Sequence, residues 1–321
     1  CTMRHRLLLA AQGLGTILLL ALLFRDFEWA AFRALFAQLP LWFYLLSLAA
    51  VMAGQLLYAW RWRALLVAAG VRVPFHRVLT QHFIGVFLNN FLPSTVGGDA
   101  AKVYYLGRGH GYGPVTASVV LDRVLGLGLL AVLATATLWM QPPADPAYRT
   151  ARVVITALAL ACAAAIAIAA GGHAYLPLRL ASGRPRLAAL AATLGRARGI
   201  AERAVRSPAV WLQAATAVVV YFLLIALVYR VFIQMQAGPR LPFAGVLMAV
   251  TTTSVLSSVP ITINGLGLRE QLHVLLLAPL GVSREAAVAI SLLMFGHLLL
   301  GSLAGGVLWL QVSRRSGVAA G

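Results

Sequence analysis

Long apolar runs, separated by short arginine-bearing segments, set the pattern of this 321-residue chain. Leu7–Phe24, Leu41–Trp60, Val115–Met140, Val153–Ala170, Val210–Tyr229 and Ala286–Leu310 are each near or beyond the roughly 20 residues that a bilayer-crossing helix requires. Two other apolar regions are interrupted. Leu79–Leu106 carries Asn89-Asn90, then Pro93, Thr95, Gly97-Gly98, Asp99 and Lys102, and Phe243–Leu277 carries Pro260, Thr262, Asn264, Gly265 and Gly267. Proline removes a backbone donor and the glycines let the chain turn, so both interruptions free polar backbone groups at membrane depth. Such groups need partners or water, which makes each interruption a broken helix lining a polar pocket. The pattern predicts an all-α integral membrane fold forming a single polytopic domain over residues 1–321.

Charge adds orientation. Apolar residues make up 61% of the chain, and 26 basic against 8 acidic residues leave a net charge of +18. The basic residues, all arginine except Lys102, sit mainly in short loops between apolar runs. That placement suits membrane orientation and anionic headgroups, and it excludes nucleic acid as the reason for the charge. The start, Met3-Arg4-His5-Arg6, resembles a signal peptide, but no small-residue cleavage site follows it, so Leu7–Phe24 reads as an uncleaved span. Trp60-Arg61-Trp62-Arg63 reads as an interfacial belt. Residues 178–207, with Arg179, Arg184, Arg186, Arg196, Arg198, Arg203 and Arg206, read as a basic amphipathic loop on the cytoplasmic side. Putting the arginine-rich segments and both termini in the cytoplasm forces Leu79–Leu106 to enter and leave on one side and Phe243–Leu277 to do so on the other. The prediction is six crossings plus two re-entrant hairpins.

The two interruptions belong to a repeat. Residues 69–79 and 237–247 match at seven of eleven positions, and both contain Ala-Gly-x-Arg-x-Pro-Phe. After each apolar arm comes Pro-x-Thr: Pro93 to Thr95 in the first copy, Pro260 to Thr262 in the second. Three spans separate equivalent points, so halves of about 41–140 and 210–312 lie in opposite orientations. Inverted repeats with broken helices at their interface place a transporter's binding site at the breaks.

Charged residues in or near apolar segments are the candidates for chemistry, because burying a charge in a bilayer costs about 2.5–3.5 kcal/mol even on lenient scales. Asp99 follows the first break, where it either caps a half-helix or titrates in function, and Lys102 lies one turn on. Asp122-Arg123 either forms a local pair or splits to bond across to a hairpin. Asn89 and Asn90 precede the first break. Thr262, Asn264, Arg269 and Glu270 surround the second. Lys102, Arg123 and Arg269 together would make an electropositive pocket suited to phosphate. Pro93, Gly97, Gly98, Pro260, Gly265 and Gly267 are the backbone-breaking positions. Glu285, beside Arg284, reads as a surface charge. His82, His273 and His297 read as buried or interfacial, since no carboxylate or cysteine stands at ligand spacing, and Cys1 and Cys162 form no metal or disulfide framework. No metal and no cofactor are expected.

The stretch Asn90-Phe91-Leu92-Pro93-Ser94-Thr95-Val96-Gly97-Gly98-Asp99, with Asp122-Arg123-x-x-Gly126 and the late Pro260…Gly265-x-Gly267-x-Arg269-Glu270, resembles the flippase-like membrane domain of lysyl-phosphatidylglycerol synthases and its stand-alone relatives. The resemblance covers about residues 5–312. It implies movement of a lipid between leaflets of a bacterial inner membrane. No soluble aminoacyl-transferase domain follows Arg315, so this chain is expected to be a stand-alone member and not an enzyme. The leading expectation is therefore a flippase-like transporter of an amphiphile, anionic or phosphate-bearing, with membrane lipids and anionic headgroups as its partners. Two alternatives remain. One is a membrane-embedded enzyme adding a group to a lipid phosphate, with Asp99 or Glu270 as base. The other is a non-transporting partner of a lipid-biosynthesis enzyme. The residues do not indicate the lipid or the oligomeric state.

Overall fold

The structure, a computed structural model, describes residues 3–25, 27–91, 97–142, 146–170, 199–236, 238, 240–259 and 262–315. Its helices are α1 (Met3–Phe24), α2 (Trp29–Ala37), α3 (Leu41–Ala68), α4 (Phe75–Phe91), α5 (Gly97–His110), α6 (Tyr112–Trp139), α7 (Pro146–Ala170), α8 (Pro208–Met235), α9 (Phe243–Leu256), α10 (Leu268–Leu277) and α11 (Arg284–Arg315). No strand occurs among the described residues. Helices α3, α6, α7, α8 and α11 are long and apolar enough to cross a membrane, and the described part of α1, Gly13–Phe24, is apolar as well. The protein is thus an all-α integral membrane protein.

The outer face is greasy and the inside is partly polar, the reverse of a water-soluble protein. Leu41, Leu45, Val153, Leu160, Leu212 and Leu300 are exposed, whereas Ser47, Gln55, His82, Thr251, Glu270, His273 and Ser291 are buried. The short α2 was not foreseen. It holds Trp29, Phe32 and Phe36 in a chain of ring contacts with Phe24 and Phe27 that bridges the end of α1 to the start of α3.

Glycine and proline set the ends. Helix α3 stops at Gly70 (φ +81), where the Gly70 and Val71 N–H groups donate back to the Val67 and Leu66 carbonyls at 2.9 and 2.8 Å. This left-handed termination satisfies carbonyls that would otherwise be orphaned. Arg203 adds a 2.9 Å hydrogen bond to the Ala68 carbonyl. Arg203 belongs to a short helical piece, 199–205, whose Ile200, Ala201 and Ala204 are buried against the protein. The described end of the basic loop therefore docks on the bundle, and residues 178–198 of that loop lie outside the described residues. The interfacial reading of Trp60–Arg63 also changes: α3 continues two turns beyond Trp60, and Arg61 (8% exposed) and Trp62 (1%) point inward.

Both interrupted regions are helix–break–helix units. Pro74 and Pro242 immediately precede the first arms, α4 and α9. At 1.5 Å per residue, the 14-residue α5 and α9 reach ~21 Å and the 10-residue α10 ~15 Å, short of the ~30 Å hydrocarbon core. In the first unit α5 folds back on α4 so closely that a Cβ on Gly98 would overlap the Gly85 carbonyl oxygen.

The packing partners exchange between halves. Helix α3 packs on α8, with Gly54 admitting Tyr221 and Phe43 facing Phe232 at a centroid distance of 6.0 Å. Helix α4 packs on α11, where Gly305 lets the α4 backbone at Phe83 approach, and α9 packs on α6 with Thr137 and Thr251 oxygens 3.4 Å apart. The first arm of each broken unit thus rests on the long helix that follows the other unit. Small residues at these contacts let helices approach where lipid offers no hydrophobic drive to associate.

Gly98→Ala is expected to destabilise the protein by about 1–3 kcal/mol through overpacking. Thermal unfolding in detergent should show a lowered midpoint. Gly296→Ala, at an exposed helical position with no atom within 4 Å of the added Cβ, should not lower the midpoint.

Candidate functional site

The two breaks meet. Asn264 Nδ2 donates to Asn90 Oδ1 at 3.1 Å, joining residues 174 positions apart. Around this contact lies a cavity of two adjoining lobes, about 750 and 510 Å³, that share Arg123, Tyr221, Phe222, Ser254, Ser258 and Leu298 as common wall. The larger lobe lies against the first broken unit and the smaller against the second. Both sizes fall within the range of small-molecule sites.

The first break is held by a side chain from the opposite arm. Asn89 Oδ1 accepts the Gly98 N–H at 2.8 Å, so the free N-terminus of α5 is capped by α4. Asp99 is therefore not the partner of the Gly98 N–H. Its carboxylate accepts from Arg123 Nε at 2.6 Å and stands 3.4 Å from Lys102 Nζ. The adjacent pair on α6 has split. Arg123 reaches the first broken unit, while Asp122 takes a two-pronged contact from Arg61 on α3, Nε to Oδ1 at 2.7 Å and Nη2 to Oδ2 at 2.9 Å. Gly126 makes this possible, since a Cβ there would press on the Arg61 guanidinium at 2.7 Å. Arg61 also lies over Tyr58 and Lys102 over Trp62, ring contacts that favour cations.

The second break uses left-handed backbone: Asn264 (φ 54), Gly265 (φ 75) and Gly267 (φ 80). Arg269 Nη2 donates to the Asn264 carbonyl at 2.7 Å, and its guanidinium stacks 4.6 Å from the Phe295 centroid. Glu270 is fully buried and does not line the cavity. Its Oε2 accepts the Gly267 N–H at 2.7 Å and its Oε1 accepts from Ser291 at 3.1 Å. Each unit thus caps its second arm differently, through an amide across the break in one and a carboxylate within the same helix in the other.

Of the residues singled out in the sequence, Asn89, Asn90, Asp99, Lys102, Asp122, Arg123, Thr262, Asn264, Gly265 and Arg269 line the cavity. Gly97 opens α5, Gly98 serves the α4–α5 approach, and Gly267 faces Leu19 of α1. Pro93, Thr95 and Pro260 lie outside the described residues. Among the described residues, four cations (Arg61, Lys102, Arg123, Arg269) and two carboxylates (Asp99, Asp122) line the two lobes, an excess of two positive charges. Sequence reasoning missed Gln55, Tyr58, Arg61, Tyr221 and Ser254, Ser257 and Ser258. The hydroxyl-dense run Thr251-Thr252-Thr253-Ser254 followed by Ser257-Ser258, inside an otherwise apolar helix, was the available signal. His82 and His273 are buried and line the lobes, His82 Nε2 donating to Gln55 Oε1 at 3.1 Å. No group of His, Cys, Asp and Glu able to hold a metal occurs among the described residues.

Residues 6–306 match the family described as the lysylphosphatidylglycerol synthase TM region. The chain belongs to this family. A stretch of 87 residues is also 37% identical to a UPF0104 membrane protein of Pyrococcus horikoshii, covering 26% of this chain and 26% of that relative. The family match takes in both broken units and the whole cavity, so the site lies inside the region that defines membership.

Asp122→Asn should leave the Arg61 charge buried without its carboxylate, at a cost of about 3–5 kcal/mol. Thermal unfolding should show a large drop in the single variant and recovery in Arg61→Met/Asp122→Leu. Equal losses in the single and double variants would mean that the pair carries no such dependence.

Proposed function

We propose that this protein is a lipid flippase-like transporter in which the cavity takes the phosphate of an amphiphile's headgroup while its tails stay in the bilayer. The observation that carries this reading is the meeting of two broken-helix units around a cavity lined, among the described residues, by four cations and two carboxylates. Arginine and lysine in a site of reduced water suit a phosphate better than a neutral or cationic headgroup. Arg123, with 54% of its side chain exposed, stands where a headgroup enters. The Asp99–Arg123 contact holds that cation in place until a phosphate competes for it.

The chain lies in the inner membrane of a bacterium, with both termini in the cytoplasm and α4–α5 and α9–α10 as re-entrant hairpins entering from opposite sides. Arm lengths below the hydrocarbon thickness, the arginine distribution and the reciprocal packing of α4 on α11 and α9 on α6 support this inverted repeat. The reading makes the protein a transporter and not an enzyme. Both oxygens of Glu270 are engaged in local hydrogen bonds and Asp99 sits between two cations, so neither carboxylate is placed as a general base. A lipid-biosynthesis enzyme is the natural partner, as supplier of the cargo.

Reconstituted vesicles carrying a tail-labelled anionic phospholipid provide the test. Transbilayer movement is expected with the wild type and should fall by at least about tenfold in Arg269→Ala, the scale of a lost charge-assisted hydrogen bond. Movement that persists unchanged in Arg269→Ala and in Asp99→Asn would overturn the reading. For the topology, a cysteine replacing Arg108, at the end of α5, should label from the cytoplasmic side. Labelling from the periplasm alone would exclude a hairpin.

A further inference from the structure

The larger lobe is not polar all round. Helices α3, α4 and α5 give it Gln55, Arg61, His82, Asp99 and Lys102, but part of its wall is hydrocarbon: Leu127 and Leu130 of α6, Cys162 of α7 and Val218 of α8. Helix α7 packs mainly on α6 and touches α9 and α10 less. Its first turns are anchored. Tyr148 Oη donates to the Leu276 carbonyl at 3.4 Å, and Arg152 donates to the Leu138 and Gln141 carbonyls at 3.1 and 2.7 Å. Further along, the contact is apolar, Cys162 lying 3.1 Å from where a Cβ on Gly128 of α6 would stand. The other faces of this half are open, with Leu160, Ala161, Ala164 and Ile168 exposed.

Helix α8 is not among the main packing partners of α7, yet Val218 and Cys162 line the same lobe. The space between these two helices is thus an apolar cleft leading from the lobe towards the lipid-facing side of α7. One turn beyond Cys162, at Ile166, a hollow of about 20 Å³ extends it, closed by Leu125, Ala204 and Trp211. A phosphate that leaves the membrane surface for the cavity draws its hydrocarbon tails with it. A methylene chain laid against Arg61, Lys102 or Asp99 would strip those groups of polar partners, which is costly. Beside Leu127, Leu130 and Val218 it exchanges one hydrocarbon neighbour for another, at little cost.

We infer that the cleft between α7 and α8 is an acyl-chain seat, through which one tail of the bound lipid reaches the bilayer while the phosphate stays in the cavity. The inference rests on the phosphate-binding reading above and adds the route by which the tail leaves. Cys162 marks the neck of the cleft. The anchored start of α7 makes its far half the side that gives way to admit the chain. In the topology proposed above that half is cytoplasmic, so the cleft faces the inner leaflet.

The test is photolabelling of the purified full chain in mixed micelles, which does not depend on transport. The probe is a phosphatidic acid with a diazirine midway along one tail, present at low mole fraction, and adducts are mapped by peptide mass spectrometry. Unlabelled phosphatidic acid should remove the adducts at Cys162 and Val218 and leave those at the lipid-facing Leu160 and Ile168. A diacylglycerol of the same tails should remove neither set. Cys162→Phe, which fills the neck, should weaken probe binding at least about threefold through lost contacts along the chain, and Cys162→Ser should not. If Cys162→Phe fails to fold, the wild-type map decides alone. Phosphatidic acid that binds but gives no displaceable adduct in the cleft would overturn the acyl-chain seat and leave phosphate binding standing. Unchanged binding in a folded Cys162→Phe would also overturn the seat. Displacement of the cleft adducts by diacylglycerol as readily as by phosphatidic acid would keep the seat and contradict the phosphate reading. Binding of neither lipid by the wild type would overturn both.

Discussion

Two helices broken inside an apolar bundle free backbone N–H and C=O groups that lipid cannot satisfy, and the rest of the structure answers to that constraint. The Gly98 N–H is met by Asn89, the Gly267 N–H by Glu270 and the Asn264 carbonyl by Arg269. Each solution brings a polar or charged side chain to the centre of the bundle. The cavity lies where the two breaks meet at the Asn90–Asn264 contact, with Asn89 and Arg269 in its wall and Glu270 buried behind it.

Charge is treated by the same rule. Arg61 is paired with Asp122 and covered by Tyr58, Arg123 is held by Asp99, and Arg269 is held by a carbonyl and an aromatic face. None of these arrangements neutralises the site, since cations outnumber carboxylates along its wall. A buried ion pair such as Arg61–Asp122 adds little net stability, although removing one partner alone is costly. The exterior needs no such devices, being covered with leucine and valine.

Much of this was legible in the sequence. Apolar runs marked the long helices, and Pro-Phe, Asn-Gly and Gly-Gly marked the starts and breaks of the two units, because those residues act locally on the backbone. Nine of the residues chosen for chemistry line one cavity for a related reason: a polar or charged side chain inside an apolar run has few places to go. Arg61 was legible only as an interfacial arginine, since nothing in Trp-Arg-Trp-Arg says that α3 runs two turns further and turns that side chain inward. Glu270 looked like a site residue, yet a carboxylate three residues after a glycine in the left-handed region serves its own helix first. The serines of α9 and its C-terminal turn were hidden among small residues whose facing depends on tertiary packing.

The central claim is that a lipid phosphate occupies the space between the two breaks. Ser258 lies on the wall common to both lobes, so a Ser258→Cys chain, with Cys1 and Cys162 replaced, reports on that space through its rate of reaction with a water-soluble thiol reagent. A short-tailed phosphate-bearing lipid should slow the reaction several-fold, and a diacylglycerol of the same tails should not. Equal rates with both lipids, or with neither present, would contradict occupation of the cavity by the headgroup.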